Sequence, residues 1–356
     1  MYPGAVSHAR RRPSNRADAL HDEGVRFNIL TDMTPAFIGI DWGTTHRRAA
    51  LVSTTGALLA EHSDGDGALA CAGRFRASLE ALLESLLERW PDARGRLPVV
   101  MAGMVGSAIG WQVVPYLERG TPLSELARHL APVADAPPGA NWRIVPGYSV
   151  RGEGVEAGQV DVMRGEETQL FGALHALGAQ ASDGYYVLPG THCKWVRLAQ
   201  GRIVELRTYM TGELFALLSR HGTLASAMRG SAADTAEGFK HAIVADDPAF
   251  ARGVRDAAAN LALSHALFGA RARVVTGGLA AESAAAYVSG LLIGAEWADA
   301  QRLPSRDEPV RVIGEPALAA LHAVCAAQHG RRIETLDAAQ LQLAAWRALA
   351  VAEAGA

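Results

Sequence analysis

The segment Phe37-Ile-Gly-Ile-Asp41-Trp-Gly-Thr-Thr45-His-Arg-Arg48-Ala-Ala-Leu-Val52 does most to constrain the fold. An apolar run ends in Asp41, turns through Gly43, Thr44 and Thr45, and returns as a second apolar run from Arg48. That pattern predicts a β-hairpin. Its tip offers backbone N–H groups, two hydroxyls, a carboxylate and a guanidinium. Such a set can hold ATP phosphates: the N–H and hydroxyl groups donate, Arg48 neutralises charge, and Asp41 holds Mg2+ through water. No G-x-x-x-x-G-K-[ST] run occurs, so this is not a Walker loop. Asp-x-Gly-Thr is also ordinary turn composition, and the hairpin alone does not decide the chemistry.

The 356 residues leave room for two domains, and the 49% apolar content is enough for a sizeable core. A net charge of −3 implies no basic surface for nucleic acid. No uncharged apolar stretch reaches membrane-spanning length, so no membrane partner is expected. The three cysteines, Cys71, Cys193 and Cys325, are scattered and odd in number. They argue against a disulfide framework and for a reducing, cytoplasmic setting. Residues 1–34 carry Arg10, Arg11, Arg12, Arg16 and Arg26 with little apolar material and no signal-peptide core. They read as a disordered tail, or as a start assigned too early with Met33 the true initiator. Of the 34 basic residues only Lys194 and Lys240 are lysines. A lysine that survives such a bias suggests a place where a guanidinium does not fit.

Strands are expected over 36–41, 48–53 and 57–62, a helix over 75–90 on its apolar spacing, and a strand over 97–101. A glycine-rich loop over 102–110, a short helix over 118–131, a strand over 142–145 and irregular chain over 146–161 follow. A helix over 166–177 precedes a strand over 184–188 and a hairpin of 195–198 with 203–206. Helices then dominate, over 211–221, 247–267, 280–300, 317–328 and 338–352, with short strands at 310–313 and 332–334. The order implies an α/β fold of mixed sheets with helices against them. The second half restarts as strand, Gly-Thr turn, strand. The domain reading is therefore 35–172 and 173–356, each bearing one Gly-Thr turn, with a nucleotide clamped between them.

Further segments carry chemistry. In Met163-Arg-Gly-Glu-Glu-Thr-Gln169, Glu166 and Glu167 open a helix, where a carboxylate can take the proton of an attacking hydroxyl. Acids also favour a first helical turn for its dipole, and at most one of the pair is the base. In Pro189-Gly-Thr-His-Cys-Lys-Trp195, Gly190 and Thr191 can approach phosphates, while His192 and Lys194 can meet an acidic substrate. Cys193 reads as packing, and one Cys with one His falls short of a zinc site. Gly103, Met104, Ser107 and Trp111 follow a strand and can contact a sugar. Arg207 and Thr208 end a strand at the same cleft. Gly314, Pro316 and Leu318 form a strand-turn-helix slot suited to adenosine. Gly290 and Gly294, four apart, can permit close helix contact.

The ordered combination of Asp41-Trp-Gly-Thr-Thr, Gly165-Glu-Glu-x-x-Leu-Phe-Gly172 and Pro189-Gly-Thr-His-Cys193 resembles the actin-like ATPase superfamily of sugar kinases. The closer resemblance is to the 2-dehydro-3-deoxygalactonokinase family. It rests on Ile40-Asp-Trp-Gly43, Val100-Met-Ala-Gly-Met-Val-Gly-Ser107, Met163–Gln169, Pro189–Trp195, Thr211-Gly-Glu-Leu214 and Ser289-Gly-Leu-Leu-Ile-Gly-Ala-Glu296. It covers about residue 36 to the C-terminus. His46-Arg47 departs from the family pattern, residues 1–34 have no counterpart, and the adenosine segment matches most loosely. The resemblance implies a two-domain actin-like (ribonuclease H-like) fold with an interdomain active-site cleft. It also implies ATP and Mg2+ as cofactors, and transfer to the 6-hydroxyl of 2-dehydro-3-deoxy-D-galactonate in galactonate breakdown. Glu166 would be the base with Glu167 next. Asp41 would order Mg2+ through water, and Gly43, Thr44, Thr45, Arg48, Gly190 and Thr191 would hold phosphates. Arg164, Lys194 and Arg207 are the candidates for the substrate carboxylate. Partners are thus a small sugar acid and ATP, with a homodimer one option for assembly. The rivals are a kinase of the same fold acting on another sugar, a non-catalytic actin-like scaffold, and a phosphohydrolase.

Overall fold

The computed structural model describes residues 24–27, 34–152, 158–228, 245–259, 262–300 and 308–355. Lys240 and most of the tail reading, 1–23 and 28–33, lie outside them. In chain order the strands are β1 (Gly24–Phe27), β2 (Pro35–Trp42), β3 (Arg47–Ser53), β4 (Leu58–Asp64), β5 (Val99–Gly103), β6 (Leu117–Glu118), β7 (Ala131–Pro132), β8 (Trp142–Ile144), β9 (Tyr148–Arg151), β10 (Val160–Met163), β11 (Gly184–Leu188), β12 (Cys193–Ala199), β13 (Arg202–Tyr209), β14 (Val310–Ile313) and β15 (Ile333–Leu336). The described α-helices are α1 (Phe75–Leu86), α2 (Glu166–Leu177), α3 (Thr211–Arg220), α4 (Gly222–Ala227), α5 (Pro248–Ala258), α6 (Leu263–Val275), α7 (Ala284–Ala300), α8 (Pro316–Gln328) and α9 (Ala338–Ala354).

The first large sheet runs β1-β4-β3-β2-β5-β8-β7 and the second β13-β12-β11-β14-β15. Without β1 and β7 the two share one plan. An antiparallel meander of three strands (β4-β3-β2, β13-β12-β11) is extended by two parallel strands (β5-β8, β14-β15). The architecture is that of the actin-like α/β fold. Loops at the carboxyl ends of parallel strands are where such sheets bind ligands, and Asp41, Gly103, Pro189 and Gly314 all lie at those ends.

Alternation along β2 sets the layers. Ile38, Ile40 and Trp42 face α1 with Phe75, Leu79, Leu82 and Leu86. Phe37, Gly39 and Asp41 face the other way, where Phe37 packs near Trp346 on α9. The C-terminal helix therefore covers the first sheet. A Cβ at Gly39 would overlap the Trp346 ring, and one at Gly172 on α2 would overlap the Leu341 carbonyl. Arg347 donates to the Gly56 carbonyl and Asn141 to Glu353, fastening the same helix at its surface. The close approach expected at Gly290 and Gly294 is present, since a Cβ at either would meet α5 backbone at Phe250 or Val254.

Four local expectations change. The stretch 146–161 holds strands β9 and β10, which with β6 make a third sheet. The helix expected over 118–131 is a 3-10 helix, Leu123–His129, opened by Pro122. The long helix expected over 247–267 is split into α5 and α6, and α6 runs on to Val275. Gly24–Phe27, inside the stretch read as a tail, pairs antiparallel with β4.

Candidate active site

The β2–β3 hairpin presents its tip at the edge of the first sheet. Gly43 N–H donates to the His46 carbonyl (2.9 Å), closing the turn. The Gly43 and Thr44 carbonyls accept from Ala68 and Leu69 N–H groups (2.9 and 3.1 Å). With those carbonyls tied back, Thr44 and Thr45 stand exposed. A Cβ at Gly67 would strike Thr44 and Thr45, so glycine lets the loop after β4 approach the tip. Asp41 ends 3.9 Å from Arg48, which is 66% exposed. Burial raises the Asp41 pKa, and the Arg48 charge pulls against it. A cation near this carboxylate would favour its ionised form.

Gly165 takes φ +114°, a conformation that favours glycine, and a Cβ there would sit 3.4 Å from Gly103. That turn brings the start of α2 to the end of β5. Glu166 accepts from the Arg164 N–H (3.1 Å), and both oxygens of Glu167 accept from the Gly165 N–H (2.9 and 2.7 Å). Burial raises the Glu166 pKa, Lys194 lowers it, and Asp41 raises it again; the three charges thus share one field. Glu167 is fully buried, and burial plus repulsion from Glu166 pushes it up to about 8. Of the pair, Glu166 is the one within reach of Asp41 and Lys194, and Glu167 is spent on the turn.

On the second sheet Gly190, Thr191 and His192 are exposed at the β11–β12 turn. The Thr191 carbonyl accepts from Glu213 N–H (2.9 Å), and His192 Nε2 lies 2.6 Å from Glu213. Lys194 is 7% exposed, and its ammonium donates to the Val162 carbonyl (2.8 Å) and the Thr208 hydroxyl (2.9 Å). It thereby ties β10 to β12 and β13. Thr208 in turn donates its N–H to Asp161 (2.6 Å). Arg207 faces another way and pairs with Asp299 at 2.9 Å.

Met104 and Ser107 belong to the loop after β5, where the Ser107 hydroxyl donates to the Met104 carbonyl (2.7 Å). Trp111 stacks on Phe75 (6.3 Å) and meets Trp142 (5.9 Å), on the α1 face opposite Asp41. The Arg164 guanidinium lies over the Tyr116 ring (4.4 Å) and donates from Nη2 to the Val114 carbonyl (2.7 Å). Its Nε and Nη1 are buried without a hydrogen-bond partner. A Cβ at Gly106 would lie 2.8 Å from Nη1, so glycine makes the space this cation occupies.

A cavity of about 880 Å³ joins the halves. Asp41 and Arg48 line it from the first sheet, and Gly314, Pro316 and Gln340 from the second half. Gly314 also abuts Pro189, whereas Leu318 packs into the core of the second half. Gly314 and Pro316 thus share one space with Asp41 and Arg48, whereas Gly43, Thr44, Thr45, Gly190 and Thr191 do not line it. Sequence reasoning missed Gln169, which lines the same cavity, and Asp161, which holds Thr208. Gln169 sits one turn after Glu166 on α2, a spacing that could have found it. Asp161 carried no local signal, because its partner is 47 residues away.

A model of the 2-keto-3-deoxy-galactonokinase family matches residues 41–349, from the aspartate of the hairpin to the C-terminal helix. The chain belongs to this family. Two curated members agree. "Probable 2-dehydro-3-deoxygalactonokinase DgoK1" of Rhizobium meliloti (strain 1021) is 34% identical over 304 residues, 85% of this chain and 92% of that protein. The 2-dehydro-3-deoxygalactonokinase of Escherichia coli (strain K12) is 36% identical over 290 residues, 81% and 88% of the two chains. The crystal structure of a Sinorhizobium meliloti protein described as a 2-dehydro-3-deoxygalactonokinase superposes with a TM-score of 0.77 at 34% identity, covering 90% of this chain and 98% of that one. The family match takes in both sheets apart from β1 and most of β2, and every candidate residue placed above.

Proposed function

We propose that the protein transfers the γ-phosphoryl group of ATP to the 6-hydroxyl of 2-dehydro-3-deoxy-D-galactonate, in the cytoplasm. The observation that carries the reading is the place of Glu166: the Gly165 turn sets the start of α2 against Gly103 at the end of β5, and Gly103 lies beside the Asp41 carboxylate. In this reading 35–172 and 173–356 are two lobes, with α9 crossing back onto the first. The phosphates lie between the β2–β3 tip (Gly43, Thr44, Thr45, Arg48) and the β11–β12 turn (Gly190, Thr191). Adenosine lies against Gly314 and Pro316.

Glu166 accepts the hydroxyl proton as O6 forms its bond to the γ-phosphorus. The bond from that phosphorus to the bridging oxygen breaks, and ADP leaves with the electron pair. Arg48 offsets charge on the phosphates. A divalent cation suits the oxygen-donor site at Asp41, reached through water, and when bound it neutralises phosphate charge. For the substrate carboxylate Arg164 is the best of the three cations. Lys194 is committed to Val162 and Thr208, and Arg207 to Asp299, whereas two Arg164 nitrogens lack partners. Closure of the lobes would exclude water and limit wasteful ATP hydrolysis.

The test is ADP release with ATP, Mg2+ and 2-dehydro-3-deoxy-D-galactonate, beside its gluconate epimer and a sugar-free control. Turnover that requires the galactonate compound supports the reading, and equal turnover without sugar acid overturns it. Glu166→Gln should then lower kcat by about 10²–10⁴-fold while leaving both KM values within a few-fold.

A further inference from the structure

A buried polar cluster beneath the β11–β12 turn takes no part in the chemistry above. Cys193, Glu296 and His322 are all buried, with candidate ligand atoms within 4.8 Å of one another. Hydrogen bonding argues against a metal there. Trp195 Nε1 donates to Glu296 Oε2 (3.0 Å), the Thr211 hydroxyl donates to Oε1, and the Cys193 sulfur lies within 4.8 Å of the same carboxylate. Trp297 Nε1 donates to His322 Nδ1 (3.1 Å), which uses that lone pair and leaves the ring proton on Nε2. Burial also holds the Cys193 thiol well above its ordinary pKa, so no thiolate is available.

The donors to Glu296 come from separate stretches of chain. Cys193 and Trp195 follow directly on Gly190, Thr191 and His192. Thr211 opens α3, whose Glu213 N–H donates to the Thr191 carbonyl (2.9 Å). A Cβ at Gly212 would overlap the Gly190 carbonyl, so the start of α3 lies hard against the turn. Trp297, the next residue along α7, meets Trp195 edge-on at 5.0 Å and reaches His322 on α8. That helix leaves directly from Gly314–Pro316. Glu296 is a buried carboxylate on a largely apolar helix, and an apolar residue there would strand the Trp195 and Thr211 donors.

We infer that Glu296 is a positioning residue which, through Trp195 and Thr211, holds the Gly190–Thr191 turn against the start of α3 in the shape that binds nucleotide phosphate. The inference rests on the nucleotide reading of that turn but not on the identity of the sugar acid.

MgADP binding without sugar acid, measured by calorimetry, tests it. Thr211→Val removes the hydroxyl at nearly constant shape and should weaken MgADP about 5–10-fold, the usual effect of losing one such hydrogen bond. Thr211→Ser restores the donor and should bind within twofold of wild type. The KM for sugar acid should move less than twofold in Thr211→Val. Glu296→Gln keeps the size but turns one acceptor oxygen into a donor; it should also weaken MgADP, and it carries the comparison if Thr211→Val does not fold. MgADP affinity within twofold of wild type in a folded variant overturns the inference, as does an equal loss in Thr211→Ser. A wild type that binds MgADP but phosphorylates no sugar acid would sink the substrate assignment alone. A wild type that binds no MgADP overturns both.

Discussion

Glu166 depends on Lys194 for the charge it can carry. Burial raises its carboxyl, and the lysine ammonium is the largest influence pulling it back down. A base must be ionised to accept a proton, so activity should rise with pH through the Glu166 ionisation, above the ordinary value of 4.5. Lys194→Met removes the opposing charge and makes that ionisation harder. The acidic limb of kcat/KM should therefore move to higher pH. A pH–rate profile of the variant checks this, and an unmoved limb would detach Lys194 from the base. At this scale the sequence was informative where chemistry and turn coincide. Glu166 and Glu167 announced a helix start, and the scarcity of lysine drew attention to Lys194. It offered Trp111 and Arg164 as ligand contacts but not their surroundings. Trp111 packs with Phe75 and Trp142, and Arg164 lies over Tyr116, neighbours that only the folded sheet brings together.

Between elements, the α2–α9 contact decides whether the start of α2 is held still. Gly172 lies where a Cβ would overlap the Leu341 carbonyl, and backbone cannot rotate out of the way as a side chain can. Gly172→Ala should force the helices apart and cost about 1–3 kcal/mol or somewhat more, with a matching drop in the urea midpoint. Activity should fall as well, because Glu166 and Gly172 share one helix. A neutral substitution in both assays would mean that the contact is loose in solution. Elements with a clear apolar signal were legible in advance: α1 from its Phe75, Leu79, Leu82 and Leu86 stripe, and β2 and β3 from the two apolar runs around their turn. The strands β9 and β10 were not. Val160 and Val162 are exposed and their run is short, so pairing with β9 rather than burial makes the strand. The break between α5 and α6 was equally hidden, since alanine-rich chain reads as helix on either side.

For the molecule as a whole, two sheets of one plan place Asp41 and the Gly190–Thr191 turn at corresponding ends of their meanders, and buried carboxyls collect where they meet. That arrangement has a measurable cost. Burial pushes Glu167 up to about 8 and Glu296 up to about 7, from 4.5 in the unfolded chain. Between those limits the unfolded chain has released protons that the folded chain retains. The unfolded state then binds fewer protons, so stability falls as pH rises. The contribution is complete below about 4.5 and lost as pH passes through about 8. At acid pH the opposite holds. Burial alone would raise Asp64, but hydrogen bonds from His62 and Arg47 outweigh it and keep its carboxyl well below the ordinary range. Its stabilisation is present above that range and disappears as pH falls. The melting temperature should therefore peak in mildly acidic buffer and decline toward pH 8. Glu296 accounts for about 3 kcal/mol of the decline by the usual conversion of a pKa shift. Glu296→Gln cannot ionise, so beyond a pH-independent loss from its exchanged acceptor it should lose about 5 °C less than wild type on going from pH 5 to pH 8. Calorimetric scans of both proteins across that range are the check. Parallel curves would show that the Glu296 carboxyl ionises in the folded protein as freely as in the unfolded chain, and that Trp195 and Thr211 compensate its burial in full.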